Sequence, residues 1–288
     1  MPKLIDTHVH LFDTERGQYE WLQPNNPPHW PDKHLINRSF SPHDLALPTS
    51  ISLNGIVHIE AGFDNQKPWR EIELVEQTVR LPLRTVAGGD ITADDFSHTL
   101  DKLARFNSVC GIRHILDEQA VAVLSHPRAL TNMQLLTSKN WHFEAQFSVS
   151  DSQATQCLLR LLNKTGARCI INHAGFMPGE TVNASVWRKN LLCLAENPNV
   201  AIKASGWEMM GASRAWQSEQ VVGIIEKLML IFGTQRVMLG SNFPLCLFEA
   251  DYNTYWQCLE DAIPALDKQA LMFDNALQWY GFTLNSAD

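Results

Sequence analysis

The chain of 288 residues is 45% hydrophobic and 19% charged, a balance that supports a large folded core and excludes disorder as the main state. Its formal net charge of −8, without any run of Lys or Arg, excludes a polyanionic partner such as nucleic acid, since phosphate binding needs a basic face. No run of 18 apolar residues occurs and MPKLIDTHVH lacks a long apolar leader segment, so the sequence predicts a cytoplasmic protein with no membrane partner.

The first predicted element is LIDTHVH, residues 4 to 10, a strand in which His8 and His10 stand two apart and share a face. Composition alone supplies about 0.4 such histidine pairs in a chain of this make-up, so the pair gains meaning only from what surrounds it. Residues 11 to 41 follow, rich in Pro, Asn and Trp, and too long for a plain loop between strand and helix. Such a stretch is either a functional lid or a packed excursion anchored by Trp21 and Trp30.

Seven more apolar runs read as strands: residues 54 to 62, 83 to 90, 108 to 116, 142 to 149, 168 to 175, 200 to 207 and 237 to 244. Helical periodicity lies between them. It is clearest over residues 217 to 232, where Val221, Ile224, Ile225, Leu228 and Phe232 repeat before a stop at Gly233. Phe96, Leu100, Leu103 and Phe106 form a second stripe, Leu158, Leu161 and Leu162 a third before Gly166, and residues 267 to 282 a final helix. Eight strand-then-helix units predict an α/β fold of the (β/α)8 TIM-barrel type, a single domain over residues 1 to 288. A doubly wound open sheet is the runner-up, but no glycine-rich phosphate loop follows any strand. The six cysteines have no C-x-x-C spacing and read as reduced core residues.

In a parallel barrel the active site stands at the C-terminal ends of the strands. There the strands carry His8 and His10; His58 and Glu60; Arg113 and His114; Glu144 and Gln146; Asn172 and His173; Lys203 and Ser205; Ser241 and Asn242. Buried ionisable groups are costly unless paired, so one shared polar site is the economical account. Arg113 and His114 alternate faces, and Arg113 is the one expected to point inward. Arg113 and Lys203 would bind an anionic oxygen of a small substrate, or else form internal ion pairs with Glu60 or Glu144. Trp21, Trp30 and Trp207 could wall the pocket, where sugar faces stack.

The motifs IDTHVHLFD, IVHIEAG, CGIRHIL, INHAG, NVAIKASG, VMLGSNFP and NALQWYGF, in that order, resemble the amidohydrolase superfamily, in particular the amidohydrolase-2 branch of sugar lactonases and pyrone-dicarboxylate lactonases. The resemblance implies a TIM barrel with His8, His10 and His173 facing the pocket, as ligands of one divalent metal such as zinc or as direct contacts to substrate in a metal-independent relative. It also implies an aspartate after the serine of G-S-x-x-P as metal ligand and general base. This chain has Asn242 there, and an amide cannot accept the proton. Glu60, His58 or His173 would then have to.

The expected function is hydrolysis of a small sugar-derived or carboxylated lactone by water attack on the ester carbonyl. His8, His10, His173, Glu60 and Asn242 are the expected catalytic group, with Arg113, Lys203, His58, Trp207 and Trp21 as substrate contacts. The alternatives are a decarboxylase or a ligand-binding relative without turnover. The only partner implied is a small-molecule substrate, and the sequence does not indicate an oligomeric state.

Overall fold

Strands that are apolar on both faces need cover on both faces, and a closed ring of parallel strands inside a ring of helices supplies it. In the computed structural model, which describes residues 1–177, 183–211 and 213–283, eight parallel strands follow one another in chain order round a single sheet. They are β1 (Lys3–Val9), β2 (Ser52–Ile59), β3 (Leu83–Gly88), β4 (Val109–Ile115), β5 (His142–Gln146), β6 (Cys169–Ile171), β7 (Val200–Ala204) and β8 (Val237–Leu239). The ring is nearly closed between β8 and β1 by a parallel bridge from Val9 to Phe243 and by the Thr7 hydroxyl, which donates to Leu239 O at 2.8 Å.

Helices cover the outside: α1 (Trp69–Thr78), α2 (Phe96–Leu103), α3 (Ala120–Leu124), α4 (Pro127–Ser138), α5 (Ser152–Thr165), α6 (Asn183–Ala195), α7 (Ser218–Phe232) and α8 (Tyr252–Ala262). The predicted stripe of α7 is buried as a unit, and Gly166 ends α5 at φ 66°, a left-handed conformation that glycine adopts without strain. None of the described helices is long and apolar enough to cross a membrane. The six cysteines are free thiols, four of them buried.

Two expectations need correction. The first strand is followed by no α-helix: the excursion runs to β2 through three single turns, Glu20–Leu22, Lys33–Leu35 and Pro42–Asp44, because its prolines and asparagines favour turns over helix. The tail is not one helix either. It runs as α9 (Ala265–Gln269), a π-helical turn (Ala270–Asp274) and α10 (Asn275–Tyr280), which together close the bottom of the barrel. There Phe273, Ala276, Trp279 and Tyr280 join the barrel interior formed by Ile5, Val57, Ile59, Val86, Ile170, Ala201 and Met238. Arg84 and Arg168, low on β3 and near the start of β6, hold the plug by donating to Tyr280 O at 2.9 Å and Trp279 O at 2.6 Å.

A local irregularity in β1 sets up the site. Low on the strand Ile5 faces the interior while Leu4 packs outward. The pairing with β2 then slips between Asp6 and Val9, a bulge that reverses the alternation, so that His8 and His10 face inward and Val9 outward. Asp6 anchors this bend. Its carboxylate accepts from the backbone N–H of His8 and of Ser241, from the Ser241 hydroxyl and from Tyr252 OH.

Candidate active site

The interior of the upper barrel is polar and internally bonded. Glu144, fully buried on β5, accepts from Lys203 Nζ at 2.7 Å, Asn172 Nδ2 at 2.7 Å and Tyr280 OH at 2.8 Å, with His142 Nε2 at 3.4 Å. Burial alone would push its carboxyl up, but the Lys203 ammonium and these donors outweigh burial and hold it well below the usual range. Burial pulls Lys203 down to about 8, which leaves it charged at neutral pH.

Lys203 Nζ also lies 3.3 Å from His8 Nδ1, and this contact sets the tautomers above it. An ammonium only donates, so His8 keeps its lone pair on Nδ1 and its proton on Nε2. That proton points at His10 Nε2, 3.2 Å away, and His10 completes the chain by donating from Nδ1 to Ile59 O at 2.9 Å. The His173 ring stacks at a tilt on His8, centroids 4.5 Å apart, with its Nδ1 bonded to Ser205 Oγ at 3.0 Å. Burial, followed by the repulsion of Arg113 and Lys203, lowers His173 to about 3; His8 and His10 are also lowered well below the ordinary value, mainly by burial. All three imidazoles are therefore neutral at pH 7.

At the rim, the Arg113 guanidinium is committed to Glu60. Nε donates to Glu60 Oε1 at 2.8 Å, Nη2 to Glu60 O at 2.7 Å, and Nη1 to Gln146 Oε1 at 3.1 Å. His114 faces the other way and accepts from Ile91 N. Of the two expected cations, one is paired with Glu60 and the other with Glu144. Trp21 is fixed by its indole N–H, which donates to Ala61 O at 2.7 Å, with its ring edge-on to Phe12 and Trp30.

Two residues leave the expected substrate-contact set. His58 points outward beneath α1, with Nε2 3.0 Å from Glu71 Oε1 and Nδ1 accepting from Leu11 N, because its neighbours Val57 and Ile59 occupy the inward positions of β2. Trp207 is buried among the core side chains rather than lining a wall.

Asn242 closes the ring beside the histidines. It is buried at φ 58°, a left-handed conformation that asparagine tolerates better than most residues. The next residue, Phe243, accepts from His10 N at 2.7 Å, and a Cβ added at Gly240 would fall 2.8 Å from His8 Cβ. The Asn242 amide donates to Glu208 Oε1 at 2.6 Å. Glu208 is fully buried, its Oε2 has no partner among the described residues, and burial pushes its carboxyl up to about 7 against the lowering effect of Asn242. Sequence reasoning passed over Glu208. The signal was indirect: the strand ends lacked a carboxylate at position 242, and an acid stood just beyond the Gly206-Trp207 pair.

As placed, the donor set does not fit a zinc ion. His8 carries its proton on the nitrogen that would bind, His10 Nε2 accepts that proton, and His173 stacks on His8 rather than converging with it. Among the described residues no three His, Cys, Asp or Glu side chains gather in a way that could hold a metal ion. His8, His10 and His173 share a place, but as placed they do not form a ligand group.

Eight parallel strands with buried acids, amides and imidazoles at their C-terminal ends make a TIM barrel that is polar at the end where such barrels carry their chemistry. The chain belongs to the amidohydrolase-2 family, whose model matches residues 5–282. It is 26% identical to the uncharacterised protein y4mH of Sinorhizobium fredii and 23% identical to an L-fucono-1,5-lactonase of Burkholderia ambifaria, over 96% of this chain and 98% of the relative in both cases. A similar solved structure is an amidohydrolase from Burkholderia multivorans with bound zinc. It is 20% identical, covers 97% of this chain and 99% of its own, and superposes with a TM-score of 0.81.

Proposed function

We propose that the protein hydrolyses a small, uncharged, sugar-derived lactone to its hydroxy acid. The observation that carries this is the internal compensation of both interior cations, Arg113 by Glu60 and Lys203 by Glu144. A dicarboxylate, or the carboxylate substrate of a decarboxylase, needs a cation free to receive it. A polyhydroxylated lactone needs instead what this mouth offers: the carbonyl and carboxylate oxygens of Glu60, the Gln146 amide, neutral imidazoles and the Trp21 ring. The lactonase relatives in the family support the same choice of bond.

In this scheme His173, whose Nδ1 alone is taken by Ser205, holds the attacking water or the lactone carbonyl through its other ring nitrogen, while His8 and His10, bonded to Lys203, to each other and to Ile59 O, form the fixed wall beside it. Their depressed pKa values keep them neutral, so they orient without trapping a proton. Purified protein offered a panel of 1,5-aldonolactones and pyrone dicarboxylates, with acid release as the readout, is expected to open the neutral lactones with at least about tenfold higher kcat/KM, a difference of about 1.4 kcal/mol. A protein that leaves every lactone untouched at neutral pH overturns the proposal.

The excursion after β1 is fastened across this mouth. Arg214, between β7 and α7, makes a two-bond pair with Asp32, Nε to Oδ2 at 2.9 Å and Nη2 to Oδ1 at 3.2 Å, and its guanidinium lies over the rings of Trp30 and Phe248 at 5.1 and 4.6 Å. R214A is expected to raise KM by about tenfold, because it loosens the cover over the mouth. Steady-state kinetics, with limited proteolysis of residues 23 to 34, checks this.

A further inference from the structure

The barrel top lacks the expected carboxylate at position 242, yet the amide found there is bonded to another carboxylate. We propose that Glu208 is the proton-transfer group of this site and that Asn242 is its positioning residue. The inference rests on the lactone-hydrolase reading given above.

Three observations carry it. First, the two segments that carry Glu208 and Asn242 also touch the groups that would bind the substrate. Asn242, its bonding partner, precedes the residue whose carbonyl accepts from His10 N, and Gly206, two residues before Glu208, lies so close to His173 that a Cβ would fall 2.6 Å from its Nδ1. Ser205 bonds the same imidazole. Second, the two carboxyl oxygens are unequal. Oε1 accepts from the Asn242 amide, which only donates there, so a proton taken up by Glu208 resides on Oε2, the oxygen with no partner among the described residues. Third, the surroundings leave the carboxyl poised near neutrality. Among the described residues, Arg214 is the charged group that acts on it, and it lowers the carboxyl's pKa. The Cys246 thiol and Tyr255 phenol beside it are both pushed up, mainly by burial, and stay neutral.

The chemistry balances with this one group. As a carboxylate, Glu208 takes a proton on Oε2 from water while the water oxygen adds to the lactone carbonyl carbon and the π pair moves onto the carbonyl oxygen. The carbonyl then re-forms, the bond from carbon to ring oxygen breaks, and the proton on Oε2 passes to the departing ring oxygen. Glu208 ends as it began, and the product is the open hydroxy acid. An acid near pH 7 suits both transfers. The imidazoles, lowered by burial and by two nearby cations, do not.

The test is a pH profile of kcat/KM for wild type, E208Q and N242D on the best lactone of the panel, with thermal melts to establish folding. Wild type is expected to show an acid limb near pH 7. E208Q is expected to lose at least about a hundredfold in kcat with KM within about threefold, and to lose the limb. N242D sets a second carboxylate against Oε1, and like charge disfavours ionisation, so its limb is expected to move up by about one pH unit or more. An E208Q that keeps a third of wild-type kcat, or a limb at the same pH in N242D, overturns the assignment. Should E208Q fail to fold, the N242D limb decides alone. A wild type inactive on all lactones overturns the hydrolase reading, whereas an active wild type with an unaffected E208Q overturns only the role of Glu208.

Discussion

K203M is expected to destabilise the barrel by about 3–5 kcal/mol, the usual cost of removing one partner from a buried ion pair. The lysine is fully buried, and its loss leaves Glu144 ionised in the interior with only the neutral donors of Asn172, Tyr280 and His142. Those three donors place the expectation toward the lower end. The double variant K203M/E144Q is expected to recover much of the loss, because no charge is then stranded, and urea unfolding of the four-member cycle measures the coupling directly. Glu144 also sets an acid limit. Its folded-state pKa is depressed, so its contribution is present above the ordinary value of 4.5 and is lost as pH falls below it. K203M should further release His8 to the opposite tautomer, which nitrogen-15 NMR of the imidazoles would detect.

Glu208 makes the opposite contribution. Its carboxyl is raised from 4.5 to about 7, so the stability tied to its proton is fully present below 4.5 and is lost as pH rises through 7. Above pH 7 the ionised group costs on the order of 3 kcal/mol. E208Q carries no such group. The stability of E208Q relative to wild type is therefore expected to increase by about 3 kcal/mol between pH 4.5 and pH 8. Comparing the two proteins cancels the other titrations, and the measurement needs no substrate. A difference that stays flat across that range would show that Glu208 titrates as an ordinary surface acid. A group that weakens the fold at the pH where it would work is what a functional carboxyl in the interior should look like.

All eight strands were legible as apolar runs, because burial on both faces leaves a continuous signature. Their upper ends were not. The runs at 168 to 175 and 237 to 244 continue well past β6 and β8, since the chain stays apolar while the backbone turns through positive φ at His173, Ala174 and Asn242. Alternation gave Arg113 over His114 correctly, but it could not foresee the β1 bulge or that His58 lies on the outward face of β2. Residues of the site that depend on distant partners were the least visible. Lys203 was expected to contact substrate or to pair with Glu60 or Glu144, and it pairs with Glu144 while its ammonium also meets His8. Glu208 was passed over, and Tyr280 lay unremarked within the predicted tail helix. Each is defined by a tertiary neighbour that no local period records.

The plug at the bottom of the barrel has a consequence for biosynthesis. His8 leaves the ribosome about 270 residues before Tyr280, whose hydroxyl completes the shell of Glu144. Until α10 docks, Glu144 lacks a donor and the column of Lys203, His8 and His10 above it rests on an open floor. The nascent chain thus holds its histidines without the partners that order them until the tail seats beneath them, and only then does the site take shape.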